Sequence, residues 1–213
     1  MSKIQEIAAA IEAGQAKVIG GLVQAAIDEG IEPLEILNKG MIETMSVVGE
    51  KFQKELIFIP EMLVAARAMK RGVEALKPHL GDAGDISIGK VVIGTVSGDL
   101  HDIGKNLVAM MIESAGFEVN DLGVDVSVDQ FVQAVESDEK VNIVALSALL
   151  TTTMPAMKDI VAALNNSPAR GRIKIMIGGA PITPEFCAQI GADSYSPDAA
   201  SAAQAAKAFA LKH

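Results

Sequence analysis

Residues 90–104 read KVVIGTVSGDLHDIG, and the reading of this stretch decides the fold. Lys90 is followed by a short apolar run, Val91-Val92-Ile93-Gly94-Thr95-Val96, without polar alternation. Such a run, rich in β-branched side chains and closed by Ser97-Gly98, is the pattern of a strand buried on both faces. From Asp102 the spacing becomes helical, and it continues to residue 115, where Gly116 stands as a C-terminal cap. Strand, loop and helix open a parallel crossover unit, and the chain repeats that unit. Strands are predicted at Phe117–Leu122, Asn142–Ser147, Ile173–Ile177 and, weakly, Asp193–Tyr195. Helices are predicted over 127–136, 153–165, 183–190 and the Ala-rich C-terminal stretch. The alternation implies a Rossmann-like, flavodoxin-like parallel sheet with helices on both faces, occupying residues 89–213.

Upstream the period differs. Ile4, Ile7, Ala8 and Ile11 recur at helical spacing, as do Val18, Leu22, Ala25 and Ala26 before Gly30. Pro33 opens a third segment carrying Leu34, Leu37, Met41, Met45, Val48 and Phe52. Pro60 sits where a first-turn proline is tolerated, and Met62, Leu63, Ala66, Met69, Val73 and Leu76 follow until Pro78. Four amphipathic segments predict a helical bundle over residues 1–88, joined to the sheet by the Gly- and Asp-rich HLGDAGDISIGK at 79–90. The fold class is therefore α/β, with an N-terminal four-helix bundle.

Bulk properties narrow the function. The chain has 213 residues, half of them hydrophobic, with a net charge of −9. A nucleic-acid binder needs clustered Lys and Arg, and here the densest basic spot is Lys70-Arg71 with Arg67 one turn earlier. Nucleic acid is thus not an expected partner. The single cysteine, Cys187, leaves no intrachain disulfide and no Cys-rich zinc or iron–sulfur site. His79 and His213 are far in sequence from His101, so no paired-histidine zinc motif exists. No apolar run reaches the length of a membrane span, and MSKIQEIAAAIEAGQ has no signal-peptide core, so a soluble cytoplasmic protein without membrane association is expected.

In open parallel sheets, ligands bind beyond the carboxyl ends of the strands. The loops there contain Ser97-Gly98-Asp99-Leu100-His101, Gly123, Ser147-Ala148-Leu149, Gly178-Gly179 and Ser194-Tyr195-Ser196. Asp99 and His101 are two apart in a stretch expected to be extended, which places them on one side. A carboxylate against one imidazole nitrogen fixes the tautomer and leaves the other nitrogen for a metal. An isolated pair of this kind is more often a solvated or helix-capping histidine. Ser147 as a nucleophile lacks the GxSxG elbow. Gly178-Gly179 fits a tight turn or close approach of a ligand. Ser147 and Thr151 to Thr153 fit helix caps or hydrogen bonds to a polar ligand arm.

Together, Asp99-Leu100-His101-Asp102-Ile103-Gly104, Ser147-Ala148-Leu149 and Gly178-Gly179 resemble the DxHxxG…SxL…GG signature of base-off, His-on cobalamin-binding domains. The helical half, with Met45-Ser46-Val47-Val48-Gly49-Glu50-Lys51-Phe52 and Phe58-Ile59-Pro60-Glu61-Met62, is similar to the cap of the methyl-carrying branch. The resemblance covers nearly the whole chain. It points to the corrinoid proteins of anaerobic methyltransferase systems, and to the related module of methionine synthase. It implies cobalamin or a related corrinoid as cofactor, with methylcobalamin as the loaded state. His101 would be the lower axial ligand to cobalt, with Asp99 on its other nitrogen and Thr153 completing the relay. Gly98, Asp102, Ile103 and Gly104 would border the cofactor at the start of the helix, with Gly104 giving its nucleotide tail room to pass. Ser147, Leu149, Thr151 and Tyr195 would line the tail's path, Gly178 and Gly179 its far end. Phe58 and Met62 would cover the upper face. Because the helical cap must both shield the methyl group and move aside, domain motion is expected.

The resemblance also implies a substrate-specific methyltransferase, a second methyltransferase and a reductive activation protein as partners, with tetrahydrofolate or coenzyme M as methyl acceptor. No second catalytic constellation is present, so no complete reaction by this chain alone is expected. A cobalamin-binding sensor would be expected to carry a DNA-binding or signalling domain, for which no residues remain. A carbon-skeleton mutase subunit would not need the helical half. A flavodoxin-like domain for another ligand is the remaining reading.

Overall fold

The computed structural model describes residues 2–80 and 87–211. They fall into two compact units, divided between residues 86 and 87, two residues before the boundary expected from the sequence.

The first unit is helical. α1 (Lys3–Glu12) begins at Ser2, whose hydroxyl accepts from the Gln5 N–H while Gln5 reaches back to the Ser2 N–H. This reciprocal cap satisfies two donors that an isolated helix end leaves open. α2 (Ile19–Asp28) ends before Gly30, which takes φ +81°. The third segment is not one uniform helix. It comprises α3 (Pro33–Glu35), π-helical turns over Ile36–Ile42, and α4 (Glu43–Gln53). The π turns contain Gly40, whose carbonyl accepts the Thr44 hydroxyl at 2.9 Å. α5 (Ile59–Leu76) carries Pro60 in its first turn, and Glu61 accepts the Phe58 N–H at 3.0 Å. Pro78 does not stop the chain's helical course abruptly; a tight 3-10 turn, Lys77–His79, follows Leu76. Ile7, Ile11, Ile19, Met41, Met62, Met69 and Leu76 are fully or almost fully buried.

The second unit holds a parallel sheet, ordered β2-β1-β3-β4-β5 among the described residues. The strands are β1 (Lys90–Thr95), β2 (Glu118–Asp121), β3 (Val141–Ser147), β4 (Lys174–Gly178) and β5 (Ser194–Tyr195). Between them run α6 (Ile103–Ser114), α7 (Val128–Glu136), α8 (Met154–Asn166) and α9 (Pro184–Ile190), with α10 (Ala199–Ala210) last. From β1 the chain passes through α6 to β2 on one side, then through α7 back to β3 on the other. Right-handed crossovers in opposite directions put α6 and α7 on opposite faces. α6 packs against α10 on one face, while α7, α8 and α9 pack side by side on the other. β1 and β3 are buried almost throughout, which accounts for their unbroken apolar runs. The strand order reverses between β1 and β3, so a crevice opens there beyond their carboxyl ends. The register ends with Thr95 opposite Ser147, and Ser147 opposite Gly178.

Candidate functional site

The loop after β1 is a turn rather than an extended stretch. The Asp99 N–H donates to the Val96 carbonyl at 3.2 Å. Gly98, the third residue of that turn, takes φ +82°, while Ser97 keeps a negative φ. This is the type II pattern, which favours glycine at its third position. Asp99 Oδ1 then accepts the His101 N–H at 3.1 Å and lies 2.7 Å from His101 Nδ1. The side-chain acceptor thus draws the backbone round two residues later, and the pair predicted from spacing forms by a local bond instead of by strand pleat.

Asp99 is wholly buried, whereas the His101 side chain is 52% exposed. The other carboxylate oxygen, Oδ2, accepts from the Leu149 N–H at 2.7 Å, the Leu150 N–H at 3.3 Å and the Thr153 hydroxyl at 3.1 Å. Burial alone pushes the Asp99 carboxyl up, but the bonds from Leu149, His101 and Thr153 outweigh it and bring the pKa to about 2. The group is a buried anion at neutral pH. Nδ1 of His101 must carry a proton to donate to it, which leaves Nε2, on the far side of the ring, with its lone pair. The Thr153 hydroxyl also lies 2.9 Å from the Leu150 carbonyl. Its single proton serves one of these two acceptors at a time.

Around this core, Gly98, Asp102, Gly104, Thr151 and Gly179 are exposed, and Ser147, Gly178 and Tyr195 are half-buried. A Cβ at Gly104 would meet open space. A Cβ at Gly178 would lie 3.0 Å from the Ser196 carbonyl oxygen, and one at Gly179 only 1.8 Å from that of Ala148. Gly179 is therefore required by the protein's own backbone, whereas a side chain at Gly178 would be only a tight fit. Tyr195 packs against the core beneath the sheet's second face. Leu100, Ile103, Leu149 and Leu150 are exposed, Leu100 by 73% and Ile103 by 84%. They form an apolar fringe to the histidine, and the sequence reading singled out only Ile103 and Leu149. The groove between α7 and α8, of about 660 Å³, is lined by other residues, including Val132, Glu136 and Asn166.

Two candidates belong to the helical unit. Phe58 is 66% exposed at the start of α5. Met62 is fully buried, on the same helix face as Ala65, Ala66, Met69 and Leu76. This corrects its placement as a covering residue: it is core, because α5 keeps a continuous apolar stripe there.

Two polar residues escaped the sequence reading. Buried Thr95 donates its hydroxyl to the His101 carbonyl at 2.9 Å. Asp125, in the loop after β2, accepts the Gly98 N–H at 2.7 Å. Apolar–polar contrast within β1 flags Thr95, whereas Asp125 carries no local signal. The first turn of α6 also buries Lys105, which pairs with Asp121 at the end of β2 and donates to Asn106 at 2.6 Å.

Residues 89–206 match the B12 binding domain family, and residues 3–77 match a second family of the same description. The chain belongs to the B12-binding family. It is 40% identical over 205 residues to dimethylamine corrinoid protein 1 of Methanosarcina acetivorans, covering 96% of this chain and 95% of that one. It is 43% identical over 185 residues to trimethylamine corrinoid protein 2 of the same organism, covering 86% and 85%. Among solved structures it is similar to a cobalamin-binding protein from Desulfitobacterium hafniense, at 33% identity and a TM-score of 0.80, covering 97% and 98%. It is also similar to the methanol:cobalamin methyltransferase complex from Methanosarcina barkeri, at 31% identity and a TM-score of 0.86, covering 99% of this chain and 80% of that one.

The described residues of this B12-binding chain fit such a cofactor. No group of three or more His, Cys, Asp or Glu side chains among them gathers to hold a metal ion. A corrin ring brings the remaining ligands of its metal with it, so a single protein ligand such as His101 suffices for it. The exposed Leu100, Ile103, Leu149 and Leu150 supply the apolar surface that a flat macrocycle would cover. No helix among the described residues is long and apolar enough to cross a membrane.

Proposed function

We propose that this chain holds a corrinoid through His101 and carries a methyl group between methyltransferases. The observation that carries the reading is the half-exposed His101, with Nδ1 fixed by a buried carboxylate and Nε2 left over. The likeness of both halves to methylamine corrinoid proteins supports it. Bound corrinoid supplies a cobalt that takes a methyl group in its reduced state and yields it to an acceptor.

The chain's own residues hold and tune that metal. His101 Nε2 would hold the metal. Asp99 orients the ring through Nδ1, and Thr153 and the Leu149 N–H hold Asp99 in turn. Gly104 would leave the start of α6 open to the cofactor's nucleotide tail, while Ser147, Leu149 and Thr151 would line its path. Tyr195 would border the same path, and Gly178 and Gly179 would stand at its far end.

A substrate-specific methyltransferase is the first partner, which the structural likeness to a methyltransferase complex supports. A second methyltransferase, passing the methyl group to tetrahydrofolate or coenzyme M, and a reductive activation protein complete the proposed set. The reading is tested by loading the chain and its His101→Ala variant with hydroxocobalamin and reducing both to Co(II). With 15N-histidine-labelled protein, the unmodified chain is expected to show the two-line splitting of a 15N imidazole in its electron paramagnetic resonance, and the variant to lack it, since the cofactor's own base carries 14N. An unchanged spectrum in the variant would overturn the assignment.

A further inference from the structure

Asp125 belongs to no strand or helix, yet it meets the histidine loop at several atoms. We infer that Asp125 is a positioning residue for His101, acting through the turn Val96–Asp99. It sits at φ +53°, a left-handed conformation that aspartate tolerates better than most residues. From there its Oδ1 accepts the Gly98 N–H at 2.7 Å and the Ser97 hydroxyl at 3.3 Å. Its own N–H donates to the Asp99 carbonyl at 3.0 Å.

The Gly98 N–H belongs to the central peptide of the turn. The direction of that peptide is what separates a type II turn from type I, since the closing bond from Asp99 to Val96 suits both. An acceptor on the Gly98 N–H therefore selects one of two turn conformations. The choice matters because the chain leaves the turn at Asp99, whose carboxylate fixes His101. Nearby pairing ties the two loops together, with the Thr95 N–H on the Gly123 carbonyl at 2.9 Å and the Val126 N–H on the Thr95 carbonyl at 3.0 Å. Neither of these bonds touches the central peptide; Asp125 does.

This inference rests on His101 being the axial ligand, and the experiment separates the two claims. Asp125→Gly removes the carboxylate at a φ that glycine accepts freely, and Asp125→Asn keeps a side-chain oxygen there. Full-length, 15N-histidine-labelled variants are loaded with hydroxocobalamin and reduced to Co(II), and the ratio of histidine-ligated cobalt to all other cobalt is read from the 15N coupling. Loss of one charge-assisted hydrogen bond lowers that ratio about tenfold in Asp125→Gly, and Asp125→Asn is expected to restore most of it. In the cofactor-free proteins, nitrogen NMR of the His101 ring is expected to show less of the Nδ1-protonated tautomer in Asp125→Gly only. An unchanged ratio and tautomer in Asp125→Gly, or equal losses in both variants, would overturn the inference. His101→Ala is measured in parallel. Coupling retained there sinks the ligand assignment and this inference together, whereas coupling lost there but kept in Asp125→Gly sinks this inference alone.

Discussion

Asp99 stays charged without reaching water, because each of its oxygens faces donors on more than one side. In the folded protein its pKa is about 2, below its ordinary 3.8. Above about pH 5 the carboxylate is ionised in folded and unfolded chains alike, and its full stabilisation is present. As pH falls from about 5 towards 2 the unfolded chain takes up the proton first, and that stabilisation is lost. Asp99→Asn turns an amide N–H₂ towards either the Leu149 N–H or the His101 backbone N–H, leaving a buried mismatch. Urea unfolding of the cofactor-free protein at pH 6 is expected to show a loss of about 2 kcal/mol in this variant. The gap should narrow at pH 2.5; a gap equal at both values would sink the account. The Asp99–His101 pair was legible in the sequence, since a carboxylate two residues before a histidine is a local pattern. Thr153 entered through the resemblance to a family. The Leu149 and Leu150 N–H donors were not legible, because every residue but proline has one. Nor was Asp125, whose bond to Gly98 depends on parallel loops lying side by side.

At the scale of elements, unbroken apolar runs revealed β1, β3 and β4 because both faces of those strands are covered. The edge strand β5, two residues long, left only a weak trace. The π-helical turns at Ile36–Ile42 left none, since the apolar spacing passes through them with little change. The glycine pair lies in the loop after β4, and its geometry has a cause within the chain. Gly179 takes φ +131° against the Ala148 carbonyl, which in turn lies where β3 and β4 end together. Gly179→Ala forces both an unfavoured φ and a backbone overlap that no side-chain rotation relieves. A cost of about 3 kcal/mol or more is expected, measured as a lowered thermal midpoint of the cofactor-free protein. A variant as stable as the unmodified chain would show that the loop can move aside.

For the whole molecule, two periodicities in one sequence sufficed to separate a helical unit from a sheet, and the order β2-β1-β3-β4-β5 places the histidine loop at the reversal point. The sequence did not reveal which helices would meet across a sheet face. α10 packs against α6 and buries Ala199, Ala200, Ala202, Ala203 and Ala206. A chain ending at Asp198 should therefore expose the α6 side of the sheet. Broadened thermal unfolding and increased binding of a hydrophobic dye are expected of it, whereas sharp unfolding at the original midpoint would contradict the role given to α10. The same packing has a consequence for biosynthesis. α6 begins two residues after His101 and leaves the ribosome well before Ala199 does. At ordinary rates of translation the separation from Ser114 to Ala199 takes on the order of ten seconds. During that interval the helix that follows the histidine has no partner over its outer face, so the nascent chain offers chaperones an apolar surface before it offers a cofactor a finished cradle.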